Sequence, residues 1–288
     1  MSEKSKLPIA IILPHASLDT PPEFQGRLAI DEDQIFNEAD VYTDLLFDFR
    51  DRVTHWLRFP YARALIDVNR PDDPAMLKRV GDGVVKDVTS YGRAVFKPGQ
   101  RPDLAEEREI VHRYWQPWHE QLAAIAADPD IKLVIDGHSM AARGPKSYDP
   151  QEKIRPRACV SNLGDAAGRA NGFPGTTMAE APLRFLGQEV GQRFARLDAL
   201  CEAADPGPVI LNNPYRGGWD LKAHGLGARQ PWAMIEVSRA MYIGRQDEAS
   251  RAQPPRMEQI EPLREALWEA IEALYWALEE DGATPESG

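Results

Sequence analysis

The chain has 288 residues, 43% of them hydrophobic, enough to bury a sizeable core as one large domain or two small ones. A formal net charge of −11 argues against a nucleic-acid surface, which needs an excess of Lys and Arg, although a pocket for a small anionic substrate can still be locally positive. Only two cysteines occur, Cys159 and Cys201, with no CxxC pair; this argues against a disulfide framework and fits a reducing cytoplasm.

The first apolar run, IAIILPHAS, follows a short basic start. Pro8 and Pro14 interrupt it, so it reads as a first β-strand rather than the apolar region of a signal peptide. Residues 38–57 carry apolar side chains at helical spacing, and ARALIDVNR then reads as a second strand. A helix is predicted over residues 103–127, followed by the strand KLVIDGHSM. Residues 141–177 form the longest irregular stretch, rich in Arg, Gly and Pro, a length that suggests a functional loop rather than a domain break. A helix over 178–204, the strands PVILNNPYRGG and PWAMIEVSR, and a helix over 257–280 complete the series. Leu263, Leu267, Ile271 and Leu274 mark one face of that last helix.

The strand candidates are near-continuously apolar, as strands buried on both faces are. Strands alternating with helices predict an α/β fold: a single domain over residues 1–280, with a mixed, largely parallel sheet and helices on both faces. Residues 281–288 read as a flexible tail. No segment approaches the ~20 apolar residues needed to cross a bilayer, so no membrane association is expected.

Sites in open α/β sheets lie beyond the carboxyl ends of the strands, so the polar residues after each run are the ones to collect. They are His15; Asp67, Asn69 and Arg70; Asp136 and His138; Asn212, Asn213 and Tyr215; and Glu236. Two strand-end histidines and one acid suit a catalytic zinc, which takes three protein ligands and leaves room for water. His15 and His138 are the histidines. Asp40 and Asp44 share a face of the predicted first helix and compete for the third position, with Asp19 a weaker candidate. His119 reads as packing or as support for a ligand, and His55, His112 and His224 have no supporting context. Arg63, Asn69 and Arg70 suit capture of a carboxylate. Glu236 follows an apolar run, where a carboxylate is costly unless paired or used, and it suits a general base.

In order along the chain, PHAS, DVYTDLLF, RALIDVNR, DGHSM, LGDAAG, NNPYRGG and IEVSRAMY resemble the motif series of N-formylglutamate amidohydrolases, from about residue 13 to residue 242. The resemblance implies an α/β domain similar to zinc carboxypeptidases and aspartoacylase. It also implies hydrolysis of N-formyl-L-glutamate to formate and L-glutamate, a late step of one histidine-degradation route. It assigns zinc to His15 and His138, the carboxylate clamp to Arg63, Asn69 and Arg70, and the base to Glu236. The superfamily's HxxE has Leu18 at its last position here, so Asp40, at the start of the first helix, is the preferred third ligand. Tyr215 and Arg216 add substrate contacts, Gly217 and Gly218 allow close backbone approach, and Asp136 orients the imidazole of His138.

The family's PHSG reads PHAS here. After DGHSM, an Arg-rich stretch, RGPKSYDPQEKIRPR, replaces the expected shorter, proline-led loop. That loop borders the expected site, so the departure bears on acyl or amino-acid specificity more than on the chemistry. Iron, cobalt or manganese also suit such ligands. The rival readings are a zinc amidohydrolase for a different N-acyl amino acid, and a non-catalytic binding protein for acidic amino-acid derivatives.

Overall fold

The computed structural model describes residues 5–73, 83–144, 153–172, 175–197, 208–244, 246 and 249–283. Its centre is a six-stranded sheet in the order β2-β1-β3-β6-β4-β5. The strands are β1 (Leu7–Leu13), β2 (Val53–Arg58), β3 (Leu133–Met140), β4 (Ala158–Ser161), β5 (Ile210–Leu211) and β6 (Trp232–Ser238). All neighbouring pairs are parallel except β4 with β6, which is antiparallel. The mixed, largely parallel sheet expected from the sequence is therefore present.

The continuous apolar runs follow from burial on two faces. Ile9, Ile11 and Leu13 of β1 pack into one core, while Ala10 and Ile12 point into the other. The first core is closed by Leu183, Leu186, Val190 and Phe194, and by Leu263, Leu267, Ile271 and Leu274 of the C-terminal helix. The second is closed by Trp118, Leu122 and Ile125. Each fully buried Leu or Ile contributes about 1.5–3 kcal/mol, so both helical layers are held on the sheet by ordinary apolar burial.

The helices are α1 (Glu32–Glu38), α2 (Thr43–Leu46), α3 (Leu104–Ile110), α4 (Gln116–Ala127), α5 (Glu180–Ala195) and α6 (Met257–Ala283). A π-helical turn, Val111–Trp115, joins α3 to α4, so the helix expected over 103–127 is continuous. The helix expected over 178–204 is present through Ala195, and its last residues lie outside those described, as does most of the predicted tail.

Three expectations are corrected. Residues 38–57 are not one helix. The chain breaks after α1, Tyr42 adopts a left-handed φ of 64°, and Val53–Arg58 joins the sheet beside β1. Its β-branched and aromatic residues suit an edge strand, and only pairing with β1 reveals it. ARALIDVNR is not a strand. It folds as a turn in which Leu65 N and Ile66 N both bond to Ala62 O, with its apolar residues packed against Trp118 and Leu122 instead of a ladder. Finally, the stretch 141–177 contains β4, too short at four residues to stand out from its polar surroundings.

Candidate active site

β1, β3 and β6 run parallel and end at one rim, and register fixes what meets there. His138 lies directly opposite Glu236 across the β3–β6 pair, and His15 follows β1, the other neighbour of β3. Gly137 is required between Asp136 and His138, because a Cβ there would sit 2.6 Å from Leu13 Cδ2. Asp40 arrives from the break after α1. Its backbone N–H donates to His15 O at 3.1 Å. The Arg239 guanidinium donates to Ala39 O at 2.7 Å and the Tyr242 hydroxyl to Val41 O at 2.9 Å, so the residues just after β6 hold the peptide that carries Asp40.

His15, Asp40 and His138 are buried, and one ligand atom from each lies within 4.8 Å of the others. His138 Nδ1 is 2.8 Å and His15 Nδ1 3.7 Å from Asp40 Oδ2, and His15 Nδ1 has no hydrogen-bond partner. Each ring turns its Nε2 to a buried carboxylate: His15 to Asp67 Oδ1 at 2.7 Å, His138 to Asp136 Oδ1 at 2.9 Å. That geometry leaves Nδ1 of both rings for the shared space, the arrangement that orients metal-binding histidines. The field agrees. Burial pushes Asp40 up, yet His138 and His15 hold its carboxyl well below the usual range. Burial opposes charge on His138, yet Asp136 and Asp40 hold its pKa well above the usual value. Surroundings that favour a proton there also favour a divalent cation, so the donor set fits a metal such as zinc.

Asp44 stands apart, paired with Arg58 at 3.2 Å, and Asp19 is exposed. Among the competing acids, Asp40 is the one brought to the two histidines.

Glu236 is buried, and its Oε2 has no hydrogen-bond partner. Burial pushes its carboxyl up to about 7, against the opposing pull of His138. Together with the three clustered residues it lines a cavity of about 700 Å³. Tyr215 lines the same cavity and stays a protonated phenol, since burial and Glu236 push it up to about 12. Arg216 does not follow it: its side chain is exposed and does not line the cavity.

Arg63, Asn69 and Arg70 do line it, with a partner the sequence reading did not assign. Asp67 Oδ2 receives Lys86 Nζ at 3.0 Å, Arg63 at 3.1 Å and Arg70 at 3.8 Å. Burial works against its charge, but Lys86 foremost, then Arg70, His15 and Arg63, hold the Asp67 carboxyl well below the usual range. One carboxylate thus orients His15 and gathers the cations of the clamp. Asn69 is engaged at both ends of its amide. Its Oδ1 accepts from Asp220 N at 2.9 Å and its Nδ2 lies 3.3 Å from His138 Nε2. Gly218 leaves it room, since a Cβ there would sit 2.2 Å from Asn69 Nδ2.

Below this loop, His119 Nε2 bonds to Val68 O at 3.0 Å, His119 Nδ1 meets His224 Nε2 at 2.7 Å, and Trp115 Nε1 donates to Arg70 O at 2.8 Å. His119 and His224 therefore support the clamp from behind. No local pattern could have found Asp67, Lys86, Asp220 or Arg239 in these roles. The one available signal was that buried acids need partners.

The sequence profile of the N-formylglutamate amidohydrolase family matches residues 7–243. The chain is 25% identical over 285 residues to an N-formylglutamate deformylase of Pseudomonas aeruginosa, covering 96% of both chains. It is equally similar over 284 residues to an N-formylglutamate deformylase of Pseudomonas putida. The crystal structure of an N-formylglutamate amidohydrolase from Ralstonia eutropha superposes with a TM-score of 0.71 at 17% identity, covering 97% of this chain and 96% of that one. With the profile spanning most of the chain, the protein belongs to the N-formylglutamate amidohydrolase family.

Proposed function

We propose that the protein is a metal-dependent amidohydrolase that cleaves N-formyl-L-glutamate to formate and L-glutamate, as in the late step of histidine degradation that its motifs imply. Family membership and the names of the Pseudomonas relatives support the substrate. The observation that carries the chemistry is the buried His15–Asp40–His138 cluster, with the unpartnered oxygen of Glu236 in the same cavity.

A divalent metal on His15, Asp40 and His138, zinc in the simplest reading, would polarise a carbonyl and lower the pKa of water to about 7. The chain's own residues do the rest. Glu236 accepts a proton from the attacking water and passes it to the glutamate nitrogen as the C–N bond breaks, giving formic acid and the amine, which leave as formate and ammonium once the acid's proton moves to the nitrogen. Arg63 and Arg70, gathered by Asp67, bind a substrate carboxylate and fix its orientation, with Arg63, 3.6 Å from Asp40 Oδ1, on the side nearer the reacting carbon. Asn69 borders that carboxylate, its amide oxygen held by the backbone N–H of Asp220.

Metal content of the purified protein, coupled to formate release from N-formyl-L-glutamate before and after chelation, tests this directly. About one metal per chain is expected, with activity lost to the chelator and restored by zinc. Stoichiometric metal without formate release would overturn the substrate; activity unchanged by chelation would overturn the metal.

A further inference from the structure

The cavity wall is far more basic than the chain as a whole. It carries Arg63, Arg70, Lys86, Lys153, Arg155 and Arg239, against Glu38, Asp40 and Glu236, in a protein whose net charge is −11. These cations are not grouped in one place. Arg63, Arg70 and Lys86 converge on Asp67, the carboxylate that meets His15 just after β1, and Arg63 also reaches Asp40 Oδ1 at 3.6 Å. Arg155 precedes β4, on the far side of β3 and β6, so the His15–Asp40–His138 cluster and Glu236 lie between the two positive flanks.

Arg155 is held by backbone bonds and a ring contact rather than by an ion pair among the described residues. Its backbone N–H donates to Ala142 O at 2.9 Å, and residues Arg143 and Ile154 form an antiparallel bridge, which ties its chain segment to the end of β3. Its guanidinium carbon stands 5.2 Å from the centre of the Tyr215 ring, and its Nη1 lies 3.5 Å from Ala141 O. Among the described residues no carboxylate is in ion-pair contact with it. A guanidinium laid against an aromatic ring keeps its edge for planar, two-point binding of a carboxylate. Glu236 shares the cavity and feels the charge of Arg155, yet its Oε2 has no hydrogen bond.

We propose that Arg155 is a specificity-determining residue that receives the second carboxylate of the substrate, the side-chain carboxylate of an acidic N-acyl amino acid, while the Asp67-centred cations hold the first. This rests on the amidohydrolase reading above and deepens it. Selection is for a dicarboxylate, and it is made by Arg155, held just before β4 on the cavity wall.

The test compares L-glutamate with L-glutamine, and N-formyl-L-glutamate with N-formyl-L-glutamine, in the metal-loaded wild type, Arg155→Gln and Arg155→Lys. Each pair differs only in the carboxylate. Binding of the free amino acids is read by calorimetry and formate release by initial rates. The wild type is expected to prefer the acidic member ~10–100-fold, the range for hydrogen bonds to a charged group. Arg155→Gln removes that preference, the loss falling on KM and Kd for the acidic ligands far more than on kcat, and leaves binding of the glutamine derivatives within about threefold; Arg155→Lys restores part of it. The unchanged glutamine ligands also establish that the variant is folded. Preference surviving in Arg155→Gln, equal loss for both members, or no preference in the wild type overturns the inference. Formate release with an unaltered preference in Arg155→Gln leaves the amidohydrolase reading standing. Selective glutamate binding that depends on Arg155, without formate release from any N-formyl substrate, sinks that reading and keeps this one.

Discussion

Replacing Asp67 with Asn removes one charge from the buried centre of the site while keeping its shape. Asp67 accepts from His15 Nε2 at 2.7 Å and from Asn69 N at 3.1 Å, and it neutralises Lys86 at 3.0 Å and Arg63 at 3.1 Å. In the Asp67→Asn variant the cations lose their common anion. His15 also loses the charged acceptor at Nε2: an amide oxygen drawn towards Lys86 and Arg63 would turn its NH2 to the ring, weakening the hold that leaves Nδ1 for a metal. Breaking one partner out of a buried charge network costs about 3–5 kcal/mol. Unfolding entropy near 2.1 cal/mol/K per residue amounts to about 0.6 kcal/mol/K for 288 residues, so Tm should fall by about 5–8 °C. Metal affinity should fall about 10–100-fold, as it does when the partner of a ligating histidine is removed. Calorimetric unfolding of the metal-free protein reads the first effect, and competition against a chromogenic chelator reads the second. Metal affinity within twofold of wild type, together with an unchanged Tm, would refute the role assigned to Asp67.

Glu236→Gln should retain metal and bind substrate normally while losing about 100-fold or more in kcat, the usual contribution of a general base; retention of a tenth of the wild-type rate would remove Glu236 from that role. Gly218→Ala places a methyl 2.2 Å from Asn69 Nδ2, so it should cost about 1–3 kcal/mol of stability and raise KM, checked by urea unfolding and initial rates. His119 carries a pH signature: burial holds its pKa down at about 4, against 6.5 unfolded. Below pH 6.5 the unfolded chain takes up a proton that the folded one refuses, so this contribution is complete above pH 6.5 and is lost as pH falls towards 4. From pH 7 to pH 5 the loss should be about 1–2 kcal/mol after allowing for partial solvent access. His224, 2.7 Å from His119 and with its pKa likewise lowered by burial, adds a slope of the same sign, so His119→Gln should reduce the slope in urea-derived stabilities rather than abolish it, and an equal slope in the variant would count against the role.

The central sheet and the outline of its rim were legible in the residues alone. β1, β3 and β6 are buried on both faces, so their apolar stretches are near-continuous, and each gives way to polar side chains towards the open end. His15 and His138 were legible because they stand at or just past those ends, and Glu236 because an acid in a buried run calls for a use. The remainder depends on contacts between distant parts of the chain. The edge strand β2 and the short β4 exist through pairing with β1 and β6, and periodicity within their own few residues cannot announce a partner. Asp40 and Asp44 look equivalent on an unbroken helix; the break between α1 and α2 sends one to the histidines and the other to Arg58. Asp67 meets His15 across 52 residues and Asp40 meets His138 across 98, contacts made by the closing of the sheet and its loops. Such pairings leave no trace in local composition, because burial energy selects that a charge be compensated but chain topology alone selects by which residue.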